Sequence, residues 1–137
     1  MNEVLVDTSA WIEYFRPRGD KRLHRAIIAL LDQDLVATTG IIKAELLKGA
    51  RSAAELEQLK QKIASLMFLE TPEILWEACG ELGFECLKRG YTIPTADLLI
   101  AAIAIRYDCA LLHCDQHFDH IARCSTLRLF SAGIKKA

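Results

Sequence analysis

The chain has 137 residues, of which 52% are apolar and 26% charged. That length fits one domain, residues 1–137, since domains most often run to about 100–150 residues, and the composition excludes a disordered or fibrous chain. Net charge is −1, from 17 Lys and Arg against 18 Asp and Glu, which on its face argues against a nucleic-acid binder because phosphates are contacted by Lys and Arg. The longest apolar run, Leu98 to Ile105, is far short of the roughly 20 residues a membrane helix needs. The start carries no signal-peptide pattern. Cys79, Cys86, Cys109, Cys114 and Cys124 contain no Cys-x-x-Cys spacing. The expectation is a reduced cytoplasmic protein with mostly buried thiols.

In chain order, Val4-Leu5-Val6 is a short β-branched run broken by Asp7-Thr8-Ser9, a buried strand followed by a helix cap. Ala10 to Phe15 reads as helix, and Arg16-Pro17-Arg18-Gly19-Asp20 as a turn. Leu23, Ile27, Leu30 and Leu31 predict a helix from Lys21 to Leu31, and Leu35-Val36-Ala37 a second strand. A short helix spans Ile41 to Gly49. Ser52 opens another, with Leu56, Leu59, Ile63 and Leu66 on one face. Met67-Phe68-Leu69 is a third strand. Thr71 is read as the cap of a helix with Pro72 in its first turn, running to Lys88 and stopped by Gly90. Pro94 starts a helix ending near Tyr107-Asp108. Ala110-Leu111-Leu112 is a fourth strand, Gln116 to Ala122 a short helix, and Leu127 to Phe130 a last strand. Strands and helices alternate, and the strands are continuous apolar runs. Both features predict an α/β fold with a parallel sheet covered on both faces.

Ligands in such folds bind outside the carboxyl ends of the strands. Asp7 follows the first strand, Glu45 lies in the helix after the second, and Asp115 follows the fourth. Asp97 interrupts an otherwise apolar stretch in the first turn of the Pro94 helix, where it either caps its own helix or faces a polar site. Each acid alone has a plain reading: Asp7 and Asp115 as caps, Glu45 as a solvated helix residue. Together they converge on one sheet edge. Grouped carboxylates repel one another, and a hard divalent cation such as Mg2+ or Mn2+ relieves that conflict. A competing soft-metal cluster of Cys114, His117, His120 and Cys124 would suit zinc.

Four segments resemble the motifs of PIN-domain ribonucleases. They are Val4-Leu5-Val6-Asp7-Thr8-Ser9-Ala10, the run Thr38 to Gly49 containing Glu45, Pro94-Thr95-Ala96-Asp97-Leu98-Leu99, and Leu111 to Ala122 containing Asp115. In length and ending the chain looks most like VapC toxins of type II toxin–antitoxin modules. The resemblance implies a PIN-like three-layer α/β/α sandwich with a short, mostly parallel central sheet. It implies Asp7, Glu45, Asp97 and Asp115 as a catalytic, metal-binding quartet, supported by Ser9, Thr8 and Asp119. It implies Mg2+-dependent (or Mn2+-dependent) hydrolysis of RNA phosphodiesters, an antitoxin similar to VapB, and a homodimer. The chain departs from the family's pattern twice: His113 stands where Thr or Ser is usual, and His117 where an acid is usual.

Arg16, Arg18, Lys21, Arg22 and Arg25 cluster after the first motif, and Arg123, Arg128, Lys135 and Lys136 fall in the last stretch. These are either ordinary solvated surface or basic rims on which RNA backbone lies beside an acidic pocket. With the quartet set aside, the balance becomes 17 basic residues against 14 acidic. Trp11, Tyr14 and Phe15 are core packing that could also line an antitoxin groove, as could the Leu56–Leu66 face. The alternative to a nuclease is a PIN-fold module that binds RNA or protein with little or no cleavage.

Overall fold

Val4–Val6 form β1, every residue buried, and the chain leaves it at Asp7 directly into helix α1, Thr8–Phe15. The computed structural model describes residues 2–131. Helix α2 (Lys21–Asp32) is capped by Asp20, whose carboxylate accepts the N–H groups of Arg22 and Leu23. Strand β2 (Val36–Thr39) is followed by α3 (Gly40–Lys48) and by α4 (Ala53–Ala64), which Ser52 caps. Then come β3 (Met67–Leu69), α5 (Ile74–Lys88), α6 (Thr95–Arg106), β4 (Ala110–Leu112) and α7 (Gln116–Arg123).

The sheet order is β3-β2-β1-β4, with every pairing parallel. The connections β1 to β2 and β2 to β3 step in one direction, and β3 to β4 steps back across the sheet. Right-handed crossovers therefore carry α1 to α4 over one face and α5 and α6 over the other. This is the α/β/α sandwich implied by the resemblance. It also makes the β1/β4 boundary the point where strand order reverses, the place where such sheets bind ligands.

The core is drawn from both faces. Leu5, Leu23, Ile27 and Ile42 are fully buried, as are Ile100, Ile103, Leu111 and Phe118. Helix α6 is buried at every position from Leu98 to Ala104, which explains its nearly pure apolar sequence. It packs closely on α5, where a Cβ at Gly83 would stand 2.8 Å from Leu98 Cδ1. Helix α5 is closed just past its end by Gly90, whose φ of 89° lets the Tyr91 N–H turn back to the Cys86 carbonyl at 3.0 Å.

Several boundaries differ from the sequence reading. Helix α1 begins at Thr8 rather than Ala10, because Asp7 itself is the cap. Strand β2 extends through Thr38 and Thr39, both fully buried, since the Thr39 hydroxyl donates to the Leu69 carbonyl at 2.7 Å across to β3. Thr71 caps nothing: α5 starts at Ile74 without a side-chain cap bond, and the Pro72 carbonyl accepts from Leu75 instead. The predicted last strand contracts to one bridge, Leu129 to Leu111, with the remaining pairing limited to hydrogen bonds at Arg128 and Phe130. Lys135 and Lys136 lie outside the described residues.

Candidate metal centre

Two strands at the switch point end in the same way. After β1, Asp7 caps α1 and its Oδ2 accepts the Ser9 N–H at 3.0 Å. After β4, Asp115 caps α7 and its Oδ1 accepts the His117 N–H at 2.9 Å. Both acids are caps, as their plain reading had it, and both also stand at the carboxyl edge of adjacent parallel strands. The cap role and the site role are one arrangement, because a helix N-terminus holds a carboxylate in place with its free N–H groups.

Asp7 is 4% exposed. Burial pushes its carboxyl up to about 6 from an ordinary 3.8. The Ser9 bonds oppose that rise, and the nearby Asp97 charge adds to it. The Ser9 hydroxyl donates to Asp7 Oδ2 at 2.6 Å and accepts the Cys114 N–H at 2.9 Å, tying the end of β1 to the loop after β4. Thr8 reaches the other way: its hydroxyl donates to Glu45 Oε1 at 2.8 Å and so orients the acid supplied by α3.

Asp97 does not cap α6, which has no side-chain cap bond. It faces the site. Burial raises its pKa; the His117 bond opposes the shift, and Asp115 and Glu45 raise it further by repulsion. Its Oδ2 lies 2.9 Å from His117 Nδ1, which is also 3.3 Å from Asp115 Oδ1. Asp97, Asp115 and His117 are the group of possible metal donors, among the described residues, whose ligand atoms all lie within 4.8 Å of one another. Asp7 and Glu45 flank this trio through their charges on Asp97.

Asp119 sits one step further out. The Asp115 N–H donates to His113 Nδ1 at 3.1 Å, which leaves the proton of a neutral ring on Nε2. That nitrogen lies 3.6 Å from Asp119 Oδ1. Asp119 thus stands behind buried His113, whose ring accepts the Asp115 N–H. The Cys/His alternative does not assemble: His120 stacks on Tyr91 with ring centres 4.3 Å apart, and Cys124 lies beside Cys86 with both thiols free. His117 from that set joins the two aspartates instead.

A cleft beside the acids is lined by Thr8, Glu45, Arg16, Pro17, Arg51 and Glu55. Arg16 borders it as the basic cluster suggested, although its guanidinium also pairs with Glu13 at 3.1 Å. Arg18 and Lys21 line a neighbouring hollow with Arg16 and Arg25. Arg22 lies in the exposed first turn of α2. Arg51 was missed by the sequence reading; its only signal was a basic residue in the loop just beyond the helix carrying Glu45. An apolar groove lined by Trp11, Tyr14, Phe15, Leu46, Ile63 and Leu66 opens next to the cleft and shares Phe15 and Leu46 with it.

The profile of the PIN domain matches residues 4–123. The chain belongs to the PIN-domain family. Its PIN-domain relatives include Ribonuclease VapC11 of Mycobacterium tuberculosis, 32% identical over 132 residues that make up 93% of this chain and 98% of that protein. Ribonuclease VapC21 of the same species is 29% identical, over 86% of this chain and 85% of its own. The PIN fold here is also similar to the FitAcB structure from Neisseria gonorrhoeae, with a TM-score of 0.77 at 23% identity over 95% of this chain and 98% of that one. VapBC-1 from nontypeable Haemophilus influenzae matches with a TM-score of 0.77 at 21% identity, over 96% and 98%. Among the described residues, no helix of this PIN domain is long and apolar enough to cross a membrane.

Proposed function

We propose that this PIN domain is a divalent-metal-dependent endoribonuclease and the toxin of a VapBC-type toxin–antitoxin pair, with residues 1–137 forming one domain. The observation that carries the reading is the buried Asp7 carboxyl at the β1/β4 switch point together with Asp97, Asp115 and His117, whose donor atoms lie within 4.8 Å of one another; burial and mutual repulsion raise both Asp7 and Asp97. Such a cluster is costly to ionise without a cation. The donor set of carboxylate oxygens fits Mg2+ or Mn2+. Asp7, Asp97, Asp115 and Glu45 would hold the ion. When bound, a divalent ion lowers the pKa of water at the site and screens an incoming phosphate.

The chain's own residues supply the rest. Ser9 holds the Asp7 carboxylate and the Cys114 backbone together, and Thr8 holds Glu45. Asp119 acts through His113 on the Asp115 loop. Arg16 and Arg51 border the cleft that contains Glu45, Arg18 and Lys21 line the neighbouring hollow, and Arg22 is exposed in the first turn of α2, so RNA backbone can lie along a basic rim toward the acids.

VapC11 and VapC21 are named as ribonucleases, and the VapBC-5 structure from Mycobacterium tuberculosis is described as a member of the VapBC family of toxin–antitoxin systems. This supports a VapB-like antitoxin as partner, seated in the apolar groove between α1 and α4 that runs into the cleft. A homodimer and a cytoplasmic setting fit the same reading. The described cysteines are all free.

The test is degradation of structured RNA by purified protein with Mg2+ or Mn2+. Cleavage stopped by EDTA and lost in Asp7→Asn supports the proposal. RNA left intact under both metals would instead mark a binding module. A short neighbouring reading frame with an N-terminal DNA-binding pattern is the expected genetic companion.

A further inference from the structure

We infer that His117 is a nitrogen ligand of the metal centre, and that it tilts the centre away from Mg2+ toward Mn2+ and other ions that accept imidazole. This rests on the metal-centre reading above and names one donor and one preference within it.

The geometry is that of a ligand set. His117 Nδ1 lies 2.9 Å from Asp97 Oδ2 and 3.3 Å from Asp115 Oδ1. Two donors on adjacent corners of an octahedron with metal–ligand bonds of about 2.1 Å stand about 3 Å apart. The nitrogen therefore already sits at the spacing from each oxygen that a shared ion would impose, and all three donor atoms, from three separate residues, lie within 4.8 Å of one another.

The ring is held for this task and open to it. His117 is in the first turn of α7, where its backbone N–H donates to Asp115 Oδ1 at 2.9 Å. Its side chain is 34% exposed, so the ring lies at the surface rather than sealed in the core. The other histidines of the site region are engaged elsewhere: His113 is buried against Phe118 and the Asp115 N–H, and His120 stacks on Tyr91. In the metal-free contact Nδ1–H donates to the Asp97 carboxylate; ligation takes the other tautomer, with the ring proton on Nε2 and the Nδ1 lone pair on the ion.

The donor type decides the preference. Carboxylate, carbonyl and water suit Mg2+ and Mn2+ alike, whereas imidazole is a better donor to first-row transition ions, of which Mn2+ is the weakest-binding, than to Mg2+. Replacing one oxygen donor by nitrogen at a single corner lowers the relative affinity for Mg2+ without closing the site to it.

Mn2+ alone is the probe. Pulsed EPR of the Mn2+-loaded wild type should show 14N coupling that changes to 15N on labelling the histidines and disappears in His117→Asn. By titration, the Mn2+ over Mg2+ affinity ratio should fall roughly tenfold or more in His117→Asp, in the range expected for altering a metal's immediate surroundings. Bound Mn2+ without nitrogen coupling in the wild type, and an unchanged ratio in His117→Asp, would overturn this inference while leaving the metal centre in place. Failure of the wild type to bind Mn2+ at all would overturn both. The wild-type spectrum decides the point even if a variant misfolds.

Discussion

The hydroxyl of Ser9 accepts the backbone N–H of Cys114, 105 residues further along the chain, at 2.9 Å. The same hydroxyl donates to Asp7 Oδ2 at 2.6 Å. One small side chain thus couples the acid after β1 to the loop that carries the acid after β4. Ser9→Ala removes both bonds and leaves the Cys114 N–H without that acceptor. It is expected to cost about 1–2 kcal/mol of stability and to lower RNA cleavage roughly ten- to hundredfold, as for residues that orient metal ligands. Thermal melts and cleavage rates on the same preparation check it. Unchanged values in both would remove Ser9 from the site.

Asp7 makes stability depend on pH and metal. Its carboxyl titrates near 6 when folded against 3.8 ordinarily. Between these values the folded chain keeps a proton that the unfolded chain has lost. The contribution is therefore fully present below 3.8 and is lost as pH rises through 6. Asp7→Asn keeps an oxygen acceptor for the α1 cap and abolishes the charge. Without metal at pH 7.5, this variant should be more stable than wild type by up to about 3 kcal/mol, with no advantage below pH 3.8, and it should not cleave RNA. Mn2+ or Mg2+ should raise the melting temperature of the wild type and narrow the gap. Denaturant melts across pH, with and without EDTA, measure this. A variant less stable than metal-free wild type at pH 7.5 would contradict it.

The rim makes a salt-dependent prediction. Arg16→Ala and Arg51→Ala should each weaken binding to unrelated RNAs to a similar degree and reduce the slope of log affinity against log salt by about one. Fluorescence anisotropy at several salt concentrations, using the Asp7→Asn background to prevent cleavage, reads both effects. An unaltered slope in Arg51→Ala would take that residue off the RNA path.

The apolar groove predicts where inhibition is lost. Leu66 lines the groove but not the cleft beside Glu45. A charge there, Leu66→Glu, should weaken antitoxin binding by more than about 1 kcal/mol, since truncated or charged groove residues are where binding energy concentrates. Cells carrying this variant with its antitoxin should then fail to grow. Normal growth together with intact co-purification would point to another docking surface.

Much of this protein is legible along the chain because the signals are local. Three- and four-residue apolar runs ended by Asp, Ser or Gly mark strands and helix starts, and a polar side chain reaches the N–H groups two or three residues ahead with no help from the rest of the fold. Asp7, Ser52 and Asp115 are caps for that reason. Thr71 misleads for the same reason: its spacing looks like a cap, but the Pro72 carbonyl takes the Leu75 N–H and the helix begins later. The edge segment Leu127–Phe130 has strand composition, yet it pairs with β4 alone and shortens to a single bridge.

By itself, the sequence determined the order of elements, the parallel sheet and the acids that fall at strand ends, since apolar runs, caps and turns depend on near neighbours. Only the tertiary structure decided which of those residues meet. The return from β3 to β4 across the sheet sets β4 beside β1. That step brings Cys114 onto Ser9, and the fold sets Asp97 against His117. A histidine three residues before another reads along the chain as a zinc candidate. In space its nitrogen faces two aspartates, because α6 and α7 pack together and leave His120 to Tyr91. Partners of this kind are set by how crossovers stack layers, and no local spacing encodes that.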